Sequence, residues 1–350
     1  MTVGRAGRGR VLVALSGGVD SSVAAALLVE QGHEVVGATM KLWGGPSDTG
    51  CCSVSDVDDA RRVAQQLGIP HYVFNFGDAF TDGVVSPYVE AHAEGRTPNP
   101  CIECNRSIKF DRLLRRAEVL GFDALATGHH ARVDHDGRAF RLRRGADPAK
   151  DQSYVLHVLG QEQLARVLLP VGGLTKAEVR ARAGALGLRT AAKPDSQEVC
   201  FIPSTDGRAT FLGDRIDLTP GRVVDATGAE VGRVTAVELV TVGQRKGLGL
   251  AGGTDPRFVT AVDVGRRTVT VGSASDLATD RVVLERCTWV DREPQGPVEV
   301  QCSAHGSPVS GRWDRDSCTV HLDEPVRRVA PGQSVVLYRD DVVLGGGLAR

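Results

Sequence analysis

No apolar run in the 350-residue chain is long enough to span a bilayer as a helix. Segments such as Val11–Leu15 and Val23–Val29 fall far short of the roughly 18–20 residues required, so helical membrane spanning is excluded. No secretory leader is expected from the first residues either: the apolar run after Arg5, Arg8 and Arg10 stops at Ser16-Gly17-Gly18, short of an apolar stretch of about 7–15. The chain therefore reads as cytoplasmic. Net charge is nearly absent, with 42 Lys+Arg against 43 Asp+Glu, so composition neither demands nor excludes a polyanionic partner. Cysteine is sparse. Positions 51, 52, 101, 104, 200, 287, 302 and 318 are too few for a disulfide scaffold at this length, which leaves reactive thiols or ligands as the roles to consider. Repeats, low-complexity tracts and long linkers are also lacking. What remains is 41% hydrophobic and 24% charged, the composition of a globular chain of two or three domains.

From Val11 to about Leu188, short β-rich runs alternate with helical ones. VLVAL, EVVGATM, HYVFNF and DALAT are separated by helical patterns over Ser21–Gln31, Asp56–Leu67 and Asn105–Leu120. That alternation predicts an α/β fold with a doubly wound parallel sheet. Thr175 with Glu178 forms a capping box for a further helix that Gly187 closes. After Pro220 the segments RFVTAVDV, RTVTVG, RVVLERCTWV, SCTVHLD and QSVVLY are short, rich in Val and Thr, and punctuated by Gly, Pro and Asp. They predict small all-β barrel domains. The resulting division is a catalytic domain over 1–208, a central β domain over 209–277 and a C-terminal β-barrel over 278–350.

Residues 16–22 read Ser-Gly-Gly-Val-Asp-Ser-Ser between the first strand and the first helix. Two glycines permit close backbone approach, and exposed N–H groups with the helix N-terminus and the Ser16, Ser21 and Ser22 hydroxyls make an anion site suited to phosphate. The P-loop spacing with its Lys is absent, and so is G-x-G-x-x-G. The string resembles the pyrophosphate loop (PP-loop) of the ATP pyrophosphatases, enzymes that adenylate a carbonyl oxygen. That resemblance implies ATP bound by Ala14, Leu15, Ser16, Gly17, Gly18, Val19, Asp20 and Ser21, with Met40 and Gly128 enclosing the adenosine at carboxyl ends of strands. Mg²⁺ would accompany the phosphates, with Asp20 as its candidate ligand. His129 and His130 have no Cys or acid at metal spacing beside them and read as a loop pair rather than a zinc site.

Thr97-Pro-Asn-Pro-Cys-Ile-Glu-Cys-Asn-Arg carries Cys101 and Cys104 at C-x-x-C spacing in a Pro-rigid loop, ahead of a helix predicted to begin near Asn105. A thiol at a helix N-terminus has its thiolate stabilised, which marks Cys104 as a candidate nucleophile. A zinc half-site or two inert thiols are the other readings, the former weakened by the lack of a second C-x-x-C. Cys200, between Lys193-Pro-Asp-Ser-Gln-Glu-Val and Phe201-Ile-Pro, would by itself read as core.

Taken in order, SGGVDSS, GRTPNPCIECNRSIKF, ATGHHARV, AKDQSYVL, PDSQEVCFIP and GQRKGLGL resemble the bacterial tRNA-uridine 2-sulfurtransferases (the MnmA/TrmU family) over nearly the whole chain. The resemblance implies ATP-dependent adenylation of the C2 oxygen of the wobble uridine, followed by replacement of that oxygen by persulfide sulfur. It assigns Cys104 as nucleophile and Cys200 as the persulfide-bearing cysteine. Asn99, Pro100 and Cys101 would face the target base, and Lys150, Asp151 and Gln152 would contact tRNA. It also implies two partners, the anticodon arm of tRNA and a sulfur-relay or cysteine desulfurase protein. Bottom-up chemistry agrees: an amide-like pyrimidine carbonyl needs a leaving group before a low-pKa thiol or persulfide attacks, and the base must leave its stack to reach a pocket. One departure is Cys101, where many members have Asp. With Cys104 and Cys200 it makes a possible three-thiol set for a [4Fe–4S] cluster, which stays open beside the persulfide mechanism.

Binding tRNA needs positive surface, and Arg138, Arg141, Arg143, Arg144 and Lys150 are the candidate cluster, the alternative being a solvated hairpin face. Two other function classes compete. An amide-forming ligase on the same ATP loop has no use for Cys104 and Cys200. An RNA-binding protein with a structural metal leaves the pyrophosphate loop unexplained.

Overall fold

The computed structural model describes residues 9–42, 54–195, 199–202, 207–250 and 255–350. Cys51, Cys52 and the Ser196, Gln197, Glu198 and Pro203 of PDSQEVCFIP lie outside these. Five strands, β1 (Arg10–Ala14), β2 (Glu34–Lys41), β3 (His71–Asn75), β4 (Ala124–Ala126) and, after the hairpin below, Val167–Leu168, form one sheet in the order β3-β2-β1-β4-(167–168), every pairing parallel. Residues Val11, Leu12, Val13 and Ala14 of β1 are all buried, as a central parallel strand covered on both faces must be. Helix α1 (Val19–Glu30) covers one face with α2 (Val54–Gln66), burying Val23, Ala24 and Val63. The predicted capping box is present: Glu178 Oε2 accepts the Thr175 N–H at 2.7 Å, opening the helix Lys176–Ala185.

The hairpin of β5 (Ala131–His135) and β6 (Phe140–Arg144) leaves this sheet altogether. It adds to the C-terminal barrel, where Arg143 pairs with Val342 and the Arg144 N–H bonds to the Asp341 carbonyl at 2.8 Å. With Val167–Leu168 taken as β7, the central domain is a sheet ordered β10-β11-β8-β9, from β8 (Gly221–Val224), β9 (Glu230–Val234), β10 (Phe258–Asp263) and β11 (Thr268–Gly272). The barrel is made of β12 (Ala278–Trp289), β13 (Pro297–Gln301), β14 (Val309–Asp314), β15 (Thr319–Arg327), β16 (Ser334–Arg339) and β17 (Val342–Ala349), closed by pairing of β12 with β17. Closure removes the sheet edges. One apolar cluster runs through the join, with Leu12 and Leu125 of the parallel sheet, Leu142 of the hairpin, Tyr154, and Val336, Tyr338 and Val343 of the barrel.

Candidate functional site

In a doubly wound sheet, ligands bind beyond the carboxyl ends of the strands where the order reverses. Here that point lies between the adjacent strands β1 and β4. The two loops leaving them are Ser16–Gly18 and Thr127–His130. Gly17 has φ +71°, and a Cβ there would lie 2.4 Å from the Asp56 carbonyl oxygen, so only glycine fits. A Cβ on Gly128 would lie 2.5 Å from the Ser21 nitrogen, which presses the β4 loop against the start of α1. Ser21 and Ser22 turn their hydroxyls back onto the Gly18 carbonyl at 3.1 and 2.8 Å, and Ser16 stays exposed at the loop tip. Ala14, Leu15 and Met40 are buried at the strand ends and Val19 opens the helix.

An ion-pair lattice surrounds this loop. Both Asp20 oxygens accept from Lys176 Nζ at 2.8 and 2.7 Å, and His130 Nε2 lies 3.1 Å from Asp20 Oδ1. Burial works to raise the Asp20 pKa, but hydrogen bonds from His130 and Lys176 outweigh it and hold the carboxyl below its ordinary value. Lys176 also reaches Asp195, which pairs with Lys150 and Arg180, each at 2.8 Å. Burial opposes ionisation of Asp195 too, yet Lys150 and Lys176 bring its pKa down to about 2. Lys193 bonds the Gly17 carbonyl at 3.0 Å, Asp56 at 2.6 Å and Asp59 at 2.8 Å. Sequence reasoning missed Lys176 and Lys193. The signal was available, because three of only six lysines in an arginine-rich chain, Lys150, Lys176 and Lys193, stand in this lattice.

The cysteine segment departs from expectation. The helix begins at Pro100, not near Asn105, since Asn99 caps it by accepting the Cys101 N–H at 3.0 Å and Pro100 takes the first position. Cys104 is therefore one turn inside, at the start of a π-helical stretch, Cys104–Leu113, and the helix-terminus argument for its thiolate does not hold. π-helical turns recur at functional sites. A second one, Thr81–Val85, packs against it, where a Cβ on Gly83 would meet the Ser107 hydroxyl at 3.1 Å. Phe80, at its start, holds Phe201 edge-on at 5.6 Å between ring centres, next to Cys200. Ala14, Met40, Cys104 and Cys200 thus belong to one apolar cluster. Cys101 is exposed, Cys104 buried and Cys200 half-buried; among the described residues no three His, Cys, Asp or Glu side chains are gathered to hold a metal ion. Cys101, Cys104 and Cys200 are not gathered into such a group here.

The segment before Asn99 is fixed from outside the catalytic domain. Thr97 N–H bonds to the Pro331 carbonyl at 2.8 Å, the Gln333 amide donates to the Thr97 carbonyl, and Thr97 Oγ1 meets Thr241 Oγ1 at 3.2 Å. In the Lys150-Asp151-Gln152 run, Asp151 binds Arg144 at 3.1 Å and the Gly145 and Ser153 N–H groups, and the exposed Gln152 accepts the His130 N–H on Oε1 at 2.9 Å. His129 is buried, which drives its pKa well below the ordinary range, and it hydrogen-bonds Thr127 at 2.6 Å.

A family profile described as a tRNA methyl transferase HUP domain matches residues 9–204, with an accompanying PRC-barrel domain over 209–273 and an aminomethyltransferase beta-barrel domain over 279–349. Curated relatives are named tRNA-specific 2-thiouridylase MnmA. The one from Mycolicibacterium smegmatis is 51% identical over 95% of this chain and 96% of its own length. That from Roseiflexus sp. is 46% identical over 97% and 98%. The chain belongs to the tRNA-specific 2-thiouridylase family. A further thiouridylase relative, from Chloroflexus aurantiacus, is 48% identical over 96% of this chain and 97% of its own. The profile descriptions speak of methyl transfer, whereas the relatives' names speak of thiolation; the pyrophosphate-type loop and the clustered thiols side with the latter.

Proposed function

We infer that the protein is a tRNA-specific 2-thiouridylase, a sulfurtransferase that uses ATP to activate the C2 oxygen of a uridine in tRNA, at the wobble position, and exchanges it for sulfur. The observation that carries this reading is the single cluster holding Ala14 and Met40, at the ends of β1 and β2, together with Cys104 and Cys200. ATP binds over the Ser16–Gly18 loop with its phosphates at the start of α1. Asp20 is the carboxylate that would hold Mg²⁺ entering with ATP, and Lys176 and Lys193 exchange carboxylate partners for phosphate oxygens. Adenylation expels pyrophosphate and turns the uridine oxygen into a leaving group. A persulfide on Cys200, loaded by a cysteine desulfurase or relay protein in the cytoplasm, attacks C2 through its terminal sulfur, and AMP departs with the oxygen. The Cys104 thiolate then attacks Cys200 Sγ; the sulfur–sulfur bond breaks, its electron pair stays with the sulfur on C2, and a Cys104–Cys200 disulfide forms that a reductant reopens. Asn99, Pro100 and Cys101 border the target base, and Lys150, Asp151 and Gln152 shape the mouth of the site facing tRNA.

The test is product analysis with tRNA, ATP, a thiol reductant, and cysteine with a cysteine desulfurase as the persulfide source. AMP and pyrophosphate that depend on tRNA, with 2-thiouridine seen by mass spectrometry, are expected; ADP and phosphate, or AMP indifferent to tRNA, defeat the reading. Lys176→Ala should lower AMP formation by at least about a hundredfold, the scale of losing one positioned charge on a transferring phosphate.

A further inference from the structure

The Cys200 thiol stands on a turn rather than on a helix or strand. The Val199 carbonyl accepts the Ile202 N–H at 3.0 Å, which puts Cys200 and Phe201 at the two central positions. Val199, Cys200 and Ile202 are half-buried whereas Phe201 is 3% exposed, so a single ring seats the turn. That ring packs on those of Phe80, Tyr88 and Phe211, with centroids 5.6, 5.4 and 5.2 Å away, the first two edge-on. Phe80 ends the short helix Gly77–Phe80 and leads directly into the π-helical stretch Thr81–Val85. At Gly83 this stretch meets the second π-helical one, where an added Cβ would come 3.1 Å from Ser107 Oγ. Ser107 Oγ in turn donates to the Glu103 carbonyl at 2.6 Å, one residue before Cys104. A short run from Phe201 through Phe80 and Gly83 to Ser107 therefore joins the backbone of one thiol to that of the other.

We propose that Phe201 and Gly83 are positioning residues for sulfur transfer, setting how closely Cys200 approaches Cys104. The proposal rests on the persulfide reading, in which the Cys104 thiolate attacks Cys200 Sγ, the sulfur–sulfur bond breaks and its electron pair stays with the sulfur on C2. A phenyl ring and a glycine carry no reacting group, so they act only through where they hold the thiols. Disulfide formation needs the two sulfurs in bonding contact, and a misplacement of about 1 Å can cost such a step roughly a hundredfold. The pyrophosphate-type loop is shaped by contacts of its own, Gly17 against Asp56 and Gly128 against Ser21. Adenylation is therefore independent of the aromatic clamp.

The test uses the full-length enzyme, loaded on Cys200 by a cysteine desulfurase with cysteine, freed of both, and mixed with ATP and tRNA for a single turnover. Pyrophosphate reports adenylation, and the Cys104–Cys200 disulfide, trapped by acid and an alkylating agent and read by mass spectrometry, reports sulfur transfer. Phe201→Ala should slow disulfide formation by at least about thirtyfold while pyrophosphate release stays within about threefold of the parent. Phe201→Leu, which refills most of the space, should recover to within about fivefold. Gly83→Ala presses on the Ser107 hydroxyl and should slow the disulfide about fivefold, and adding Ser107→Ala, which removes that hydroxyl, should restore it. The Gly83 pair decides the matter if Phe201→Ala does not fold. Disulfide formation within about threefold of the parent in Phe201→Ala, or in Gly83→Ala where that is the variant that folds, overturns the proposal. An equal fall in pyrophosphate and disulfide overturns it too, since a merely structural ring would slow both. A parent that thiolates tRNA without passing through the disulfide defeats the persulfide reading instead.

Discussion

The arginines of the β5–β6 hairpin and those at the end of β15 flank the same barrel and differ in what holds them. Arg141 pairs with Asp136 at 2.6 Å and Asp291 at 2.9 Å, Arg143 with Asp134 at 2.8 Å and Asp341 at 2.6 Å, and Arg144 with Asp151 while stacking 3.7 Å over the Tyr338 ring. Arg327 and Arg328 meet carbonyls instead. The hairpin's charge is spent joining two domains, whereas among the described residues Arg327 and Arg328 meet no carboxylate. A basic run in sequence therefore overstates the positive charge a surface presents, because carboxylates that pair with it arrive from as far away in the chain as Asp291 and Asp341.

The largest effect bounds the conditions for testing this contrast. Burial pushes His92 and His157 down to about 4 and His129 well below its ordinary range. Below pH 6.5 the unfolded chain takes up protons that the folded one refuses, so stability falls as pH falls, by up to about 1.4 kcal/mol per pH unit for each histidine down to about pH 4. Urea unfolding between pH 7 and 5 should show this steep loss; a flat profile would mean the three rings are not buried neutral. Since arginine charge is constant over that range, tRNA binding lost in acid would report unfolding.

Next comes Asp151→Ala, which leaves Arg144 at the domain junction without its carboxylate and three N–H or O–H donors of Gly145 and Ser153 without their acceptor. A loss of about 3 kcal/mol in thermal or urea unfolding is expected. Less than about 1 kcal/mol would show that the hairpin pairs are dispensable. Gly243→Ala should act on the other side of the comparison, costing about 1–2 kcal/mol in urea unfolding through its positive φ and displacing Arg327. A loss below about 0.5 kcal/mol would show that the turn relaxes around the added methyl group. The smallest effect is expected for Arg141→Gln with Arg143→Gln, about 1 kcal/mol or less for each in stability and no change in salt slope. A flattened slope there would return the hairpin to the tRNA surface.

Much of the catalytic half was legible in sequence because its signals are local. Short β-rich runs and helical patterns marked β1 to β4 and their helices, Thr175 and Glu178 announced their capping box, and Ser16–Ser22 carried the pyrophosphate-loop pattern in seven consecutive residues. Asn99-Pro100 was an equally local helix start that the Cys-x-x-Cys spacing overshadowed, and reading it would have placed Cys104 inside the helix. Val167–Leu168, only two residues long, was too short to leave a pattern.

By itself the sequence determined the doubly wound sheet, the β-rich C-terminal half, the pyrophosphate-type loop and the identity of the two thiols. Each depends on residues within a turn or a strand of one another, or on a series of motifs read in order. Only the tertiary structure decided that β5–β6 joins the barrel, that Lys176 and Lys193 close on Asp20 and Gly17, and that Cys104 and Cys200 share a core. It also decided which arginines keep their charge. Those outcomes depend on partners far apart in the chain, such as Lys176 with Asp20 and Arg143 with Asp341, and the burial that makes such pairs matter exists only once the chain has folded.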